Sequence, residues 1–356
     1  MWYAPPTCKR GKSQAAAMRT DTSNRRHCLK VAATFGVKAT FASGPAIPLS
    51  FGALASLMSS AGCVPAAAAG SVQTVWGRRG TSDGRFLKPR AITIDLRDQL
   101  YIVDTTGRIQ VFDADGRHLR TWSTPLTQNG RPTGLSFAPR DNRLLVADTH
   151  YYRMLAFDPM GQLLEEHQIG GTAGYQPGQF AFVTDAVTDD RGRVFVGEYG
   201  QSDRIQAFSP EGEFLFQFGG TGREPGKFLR PQSLLIDGNE LWIADACNHR
   251  IARFDVSGDR AQMIDCFGTE GDQPGQFYYP YDLVIDTDGS LMVCEYGNQR
   301  IQRLTKTGRP LAIWGGPGAQ PGQLYQPWGL VIDSRGRTHV LDSNNHRVQR
   351  FVMPTA

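Results

Sequence analysis

Six acids and six arginines recur along this chain at a nearly constant offset. Asp104, Asp148, Glu198, Asp245, Glu295 and Asp342 are followed, four to six residues on, by Arg108, Arg153, Arg204, Arg250, Arg300 and Arg347. The acids are of a type that could hold metal ions, and the arginines are of a type that could hold an anion. A residue that returns at one place in every repeat, however, answers a need that every repeat has. Because a guanidinium donates several hydrogen bonds in a fixed fork, each pair reads as a staple across the loop between acid and arginine.

Chemistry particular to this chain belongs where the repeats differ. The places just after a recurrent proline supply Arg90, Thr133, Asp185, Gln232, Tyr281 and Trp328, and the loop beyond each acid adds Thr106, His150, Tyr199, Cys247, Tyr296 and Asn344. An arginine set against Tyr281 and Trp328 suits a polar or anionic ligand with an apolar part, and Tyr199 and Tyr296 join that set. No Ser/His/Asp or Cys/His arrangement for catalysis can be assembled from these positions.

The elements that position these residues show best between Phe267 and Gly315. A Gly/Pro loop leads to an apolar strand over 283–286, a turn at Asp288-Gly289 and a second strand over 291–295. A polar loop ending in Asn298-Gln299-Arg300 precedes a third strand over 301–304, and a turn at Thr307-Gly308 precedes a fourth over 311–314. The residue closing the fourth strand recurs as Trp76, Trp122, Ile169, Phe218, Phe267 and Trp314, at intervals of 46, 47, 49, 49 and 47 residues. That period with four strands per unit predicts an all-β fold, a six-bladed β-propeller of four-stranded antiparallel blades. The last repeat has only three strands before the chain stops, so the segment Ser71 to Trp76 is expected to supply its outer strand. Pairing of the N- and C-terminal strands would then close the ring.

The phrase Gln273-Pro274-Gly275-Gln276-Phe277, the proline at 280 and the run Asn298-Gln299-Arg300-Ile301-Gln302 resemble the NHL-repeat propellers. Gln176 to Phe180, Glu224 to Phe228 and Gln320 to Leu324 repeat the first phrase, and Asn-His-Arg stands at 248–250 and 345–347. The resemblance spans 71–353 and implies a propeller at 71–356 whose variable residues surround the mouth of a central channel. A related propeller, the peptide-amidating lyase, holds zinc with three channel histidines. Here no residue at the six positions after the recurrent proline is His, while His249 and His346 belong to the Asn-His-Arg phrase. A binding or scaffold module for a protein or small ligand is therefore expected, with a lyase or hydrolase as the alternative. No cofactor is expected, and calcium or zinc in the channel is left open.

Residues 1–70 have a different character. Asn24-Arg25-Arg26-His27-Cys28-Leu29-Lys30 resembles a twin-arginine export signal, followed by a mildly apolar stretch that is broken by Lys38, Pro45 and Pro48. Such a stretch suits a removed signal better than a permanent transmembrane anchor. Cleavage near Ala69 is favoured over lipidation at Cys63, Met18 is an alternative start to Met1, and the implied destination is the periplasm or cell envelope. This segment holds 8 Lys and Arg against 1 Asp, and the remainder holds 30 against 33 Asp and Glu. The propeller therefore lacks the basic surface that nucleic-acid binding requires. Of its three cysteines, Cys247 and Cys266 are spaced so that one bridge could form, and Cys294 falls at a small packing position.

Arg25→Lys combined with Arg26→Lys is expected to hold the protein in the cytoplasm, scored by fractionation and immunoblot. Normal export of the double variant would remove the signal assignment.

Overall fold

The computed structural model describes residues 71–200 and 202–352; the twin-arginine segment, Cys63 and Ala69 lie outside them. Six antiparallel sheets of four strands each follow one another. The fifth shows the pattern: Pro280–Ile285, Leu291–Glu295, Arg300–Leu304 and Pro310–Gly315. Its second and third strands are buried along their whole length, because neighbouring blades cover both faces. Outer strands such as Ser71–Trp76 alternate between exposed and half-buried residues, as the solvent-facing rim requires. The turn after strand one is closed by Gly289 N donating to Asp286 O at 2.8 Å, with Gly289 at φ 81°, a conformation that favours glycine.

Strand one of each blade packs against strand one of the next, and the sixth meets the first. Closure comes from Ser71–Trp76, which pairs antiparallel with Arg347–Val352 as the fourth strand of the last blade. No sheet of the ring is left short of a strand. Between blades sit the aromatic or apolar residues that end the Gly/Pro loops. Phe86, Phe180, Phe228, Phe277 and Leu324 are all fully buried. Phe86, for example, lies among Ile102 and Phe112 of its own blade and Leu341 and Val348 of the preceding one. Burying a side chain of this size contributes about 2 to 3 kcal/mol.

Each acid and arginine pair is a staple, with a wider span than the loop between strands two and three. In blade five Arg300 Nε donates to Glu295, while its Nη2 donates to the carbonyls of Gln273 at 3.2 Å and Gln276 at 3.0 Å. The arginine thus ties strand three to the Gly/Pro loop that enters the blade. Glu295 also accepts the amide of Tyr278 at 2.9 Å, which fixes the approach to strand one. Gln302 completes the knot: its Nε2 donates to Gln276 O at 2.7 Å and to Glu295 Oε1 at 2.8 Å, and its Oε1 accepts from Gly275 N at 3.0 Å. Asp104 with Arg108, Glu198 with Arg204, Asp245 with Arg250 and Asp342 with Arg347 repeat the ion pair.

Blade two departs from the rule. Its sequence lacks the Gln-Pro-Gly-Gln loop, and Arg153 bonds Asp148 at 2.9 Å but leaves Nη2 buried without a partner, as is Oδ1 of Asp148. Its outer strand shrinks to Ile169–Gly170 after a 3₁₀ turn at Glu165–His167. Cys266 is a free thiol, so no bridge joins it to Cys247. Among the described residues no helix is long and apolar enough to cross a membrane.

Arg300→Ala strands a fully buried Glu295 carboxylate, and the expected cost is about 3 kcal/mol of unfolding free energy. Urea denaturation of the variant beside the parent checks it; a loss below about 1 kcal/mol would show the staple to be dispensable.

Candidate functional site

The channel mouth is shaped by a bulge at the start of strand one. In blade five Pro280 pairs with Glu295 and Asp282 with Cys294, so Tyr281 is the extra residue between them. Arg90 and Gln232 are extra in the same way. A bulge of this kind re-aims a side chain, here toward the axis. Arg90, Thr133, Asp185, Gln232, Tyr281 and Trp328 all line one small central cavity of about 30 Å³.

Asp185 belongs to a deeper level than its sequence alignment suggested. Val183 pairs with Glu198 and Asp185 with Gly197, which makes Thr184 the bulged residue and puts Asp185 level with Ser233 and Asp282. The offset arises because repeat three carries Val183 where other repeats carry proline, so nothing in its sequence marks the register. Thr184 turns away and donates to Pro231 O at 2.6 Å.

This deeper ring is split in character. Blades six, one and two bring Gly329, Ala91 and Gly134, while blades three, four and five bring Asp185, Ser233 and Asp282. Ser233 Oγ donates to Asp282 Oδ1 at 2.8 Å. Both carboxyls reach forward to the next blade: Leu234 N donates to Asp185 Oδ2 at 3.0 Å, and Leu330 N to Asp282 Oδ2 at 2.9 Å. Glycine at 329 is required by that reach, since a Cβ there would sit 2.9 Å from the carboxylate oxygen. Burial pushes Asp185 up to about 8, helped by the charge of Asp282, and burial pushes Asp282 up to about 6.

Above this floor three arginines converge from blades one, two and four. Arg90 lies 5.8 Å from the Trp328 ring, and Arg230 lies 4.7 Å from Tyr199 and 5.5 Å from Tyr281. Arg131 donates to the carbonyls of Thr105 and Gly130, both at 2.9 Å. None of the three forms an ion pair with a carboxylate among the described residues. Burial, with the charges of Arg131 and Arg230, pushes Arg90 below its ordinary value. Arg230 Nε donates to Gln232 Oε1 at 2.8 Å, and the buried Gln232 lines the cavity. The aromatic wall is Tyr281 stacked on Tyr296 at 4.5 Å, with Trp328 edge-on to both. Trp328 Nε1 is buried without a hydrogen-bond partner. Burial pushes Tyr281 up to about 12, so its phenol stays neutral.

The sequence reading missed Arg131 and Arg230, which precede the recurrent proline rather than follow it. Arg230 stands at φ 59°, as Lys88, Tyr279 and Gln326 do at the same place at φ 48°, 53° and 49°. That left-handed step before proline swings the side chain over the mouth, and an X-Pro dipeptide alone does not disclose it. Thr106 leaves the site to bond Asp104, and Asn344 donates to Gln326. Cys247 is buried near Arg230. His150 sits beside Arg90 and Arg131; burial and their charges push its imidazole down, and its Nδ1 is buried without a partner.

The donors do not fit a channel zinc. His249 Nδ1 accepts the amide of Tyr279 at 3.1 Å and His346 Nδ1 that of Lys88 at 2.9 Å, so both histidines of the Asn-His-Arg phrase link one blade to the next. His339 is buried against Asp333 at 2.9 Å on a second strand. Among the described residues no three His, Cys, Asp or Glu side chains group as metal ligands.

A carboxyl whose pKa is raised by folding keeps its proton after the unfolded chain has lost it at about pH 4. Stability from Asp185 is therefore complete below that pH, declines as pH rises, and is gone above about 8. The parent's melting temperature is expected to fall between pH 5 and 9, and Asp185→Asn to flatten the profile. Parallel profiles for the two proteins would contradict the assignment.

Comparison with known proteins agrees with this architecture. The family model described as the NHL repeat matches residues 324–351. "NHL repeat-containing protein 3" of Mus musculus is 27% identical over 166 residues, which cover 43% of this chain and 46% of that protein. The chain thus spans under half the length of that relative. "Peptidyl-glycine alpha-amidating monooxygenase" of Mus musculus is 34% identical over 134 residues, 35% of this chain and 13% of that protein. Among solved structures, a streptogramin B lyase superposes with a TM-score of 0.56 at 15% identity, covering 78% of this chain and 96% of that one. The chain carries the NHL repeat and folds as a six-bladed propeller.

Proposed function

We propose that this protein is a binding module whose channel mouth takes a small anionic ligand with a flat apolar part. One observation carries the reading: Arg90, Arg131 and Arg230 gather at the mouth, none of them ion-paired with a carboxylate among the described residues, beside an aromatic wall. Collecting three like charges in a partly buried place is unfavourable unless an anion completes it. The unpartnered Trp328 Nε1 adds a donor that an oxyanion would satisfy. The reading includes export by the twin-arginine route, which rests on Arg25 and Arg26 in the sequence.

A lyase is the second reading, and His150 favours it. Its imidazole is kept neutral beside two arginines, as a base that removes a proton next to a bound carboxylate would need to be. Two of the similar proteins have names that denote enzymes, an amidating monooxygenase and a streptogramin B lyase. Fold likeness of this degree does not transfer an activity, so the binding reading stands first.

Titration with aromatic carboxylates and phosphates, followed by calorimetry, tests the site. Arg90→Ala and Arg230→Ala are each expected to weaken binding at least about tenfold, the worth of a charge-assisted hydrogen bond of some 1.5 kcal/mol. Binding that survives both substitutions would overturn the proposal. Mass spectrometry of the incubated ligands separates the readings, since a lyase would convert at least one and lose that conversion in His150→Ala.

A further inference from the structure

We infer that the face opposite the mouth holds a second site, a cleft between blades six, one and two that takes an organic ammonium on an apolar body. It shares no lining residue with the mouth. Strand one of each blade starts at the mouth, so its last residues and the turn after it lie at the other end of the ring. There Ile94, Leu96, Phe137, Pro139 and Ile332 wall a cleft of about 320 Å³. That is the size of a small-molecule site, and apolar walls with a few polar groups are the usual lining of one.

The repeats supply their own control. The turn after strand one closes alike in four blades: Asp98 N donates to Asp95 O at 3.1 Å, Gly192 N to Asp189 O at 2.9 Å, Gly289 N to Asp286 O at 2.8 Å and Gly336 N to Asp333 O at 2.9 Å. After the first acid of that turn, blades three, five and six carry the polar residues Asp190, Thr287 and Ser334, whereas blade one carries Leu96, which is 79% exposed. Pro139 stands at the same place in blade two. A leucine so exposed adds little to the core, and polar residues serve the turn equally well in the other blades. Ile94, Phe137 and Ile332 pack on one side against the blade cores and are left half-buried beside the same cleft.

The polar side chains of the cleft offer acceptors. Asp98 replaces the glycine of the other three turns and reaches blade six, where its Oδ1 accepts Ser334 N at 2.9 Å and its Oδ2 accepts Ser334 Oγ at 2.5 Å. Each carboxylate oxygen keeps lone-pair capacity beyond these bonds, and the serine hydroxyl, its proton given to Asp98, presents only lone pairs. Asp95 is buried, with Oδ1 accepting Arg97 N at 2.9 Å and Gln99 N at 2.8 Å and Oδ2 accepting the Tyr101 hydroxyl at 3.1 Å. Neither acid forms an ion pair among the described residues. Arg97, Arg140 and Arg335 flank the cleft in sequence, but none lines it, and Arg140 donates to Asp190 O at 3.0 Å instead. Two carboxylates without a cation, set in apolar walls, suit an ammonium whose N–H groups meet Asp98 while its body lies along Leu96 and Phe137.

Calorimetric titration of the full chain with phenylbutylammonium, phenylbutanol and phenylbutyrate at neutral pH tests the inference, since the three share one body and differ in head group. The ammonium is expected to bind, and the alcohol to bind about tenfold more weakly, the ratio for losing one charge-assisted hydrogen bond. Leu96→Ser and Asp98→Gly should each weaken the ammonium about tenfold. Both install residues that blade six already carries at those places, Ser334 and Gly336, so folding is preserved, and thermal melts beside the parent check it. Excess phenylbutyrate should leave the ammonium affinity unchanged, because the two charges address opposite ends of the ring. Absence of ammonium binding, equal binding of ammonium and alcohol, binding that both folded variants retain, or displacement by phenylbutyrate would each overturn the inference.

Discussion

A carboxylate buried at the end of each second strand is the contact on which this propeller depends. Backbone amides entering the channel turn away from their own sheet, and an amide buried without an acceptor costs about 1 to 3 kcal/mol. Asp245 accepts the amide of Leu229 at 2.8 Å, Glu295 that of Tyr278 at 2.9 Å and Asp342 that of Tyr325 at 2.7 Å. A carboxylate so placed needs a cation, and the arginine opening strand three supplies it while reaching the carbonyls of the incoming loop. Loop, strand and blade junction are thus fixed by one charged knot. Blade two shows the consequence of losing its loop, with an unpartnered Arg153 nitrogen left behind.

Blade-to-blade order is held by a second set of polar contacts nearer the axis. His249 and His346 accept amides of the following blade, and Asp185 and Asp282 do the same one level deeper. These four residues are of types that read as catalytic or metal-binding in isolation. Their hydrogen-bond capacity is largely committed to the backbone instead. Asp185 and Asp282 also line the cavity, and Asp282 accepts the Ser233 hydroxyl.

What differs among blades is concentrated at the mouth. Blades one, two and four bring arginines, while blades three, five and six bring Tyr199, Tyr281, Tyr296 and Trp328. Cation and ring therefore alternate around part of the axis, so that Arg90 and Arg230 find aromatic faces in place of an acid, while Arg131 bonds the carbonyls of Thr105 and Gly130. A rigid ring of repeated sheets suits such a site, because the side chains are presented by strand ends rather than by long loops.

The sequence alone determined the fold, because the repeat period, the turn residues and the acid and arginine offsets are all local signals. Six blades, their strands and the closing strand Ser71–Trp76 follow from these. It also named six residues that now share one cavity, since positions equivalent in sequence are equivalent around an axis of near symmetry. Depth and direction were decided by tertiary structure. Asp185 moved to the lower ring because the bulge, rather than the missing proline, sets the register of strand one. Arg230 entered the mouth through a left-handed step before Pro231, and the bonds from Ser233 and Leu330 to Asp282 join residues 49 and 48 positions apart on adjacent blades. Contacts of that kind exist only once the ring has closed and brought distant strands side by side, and no pattern within a single repeat encodes them.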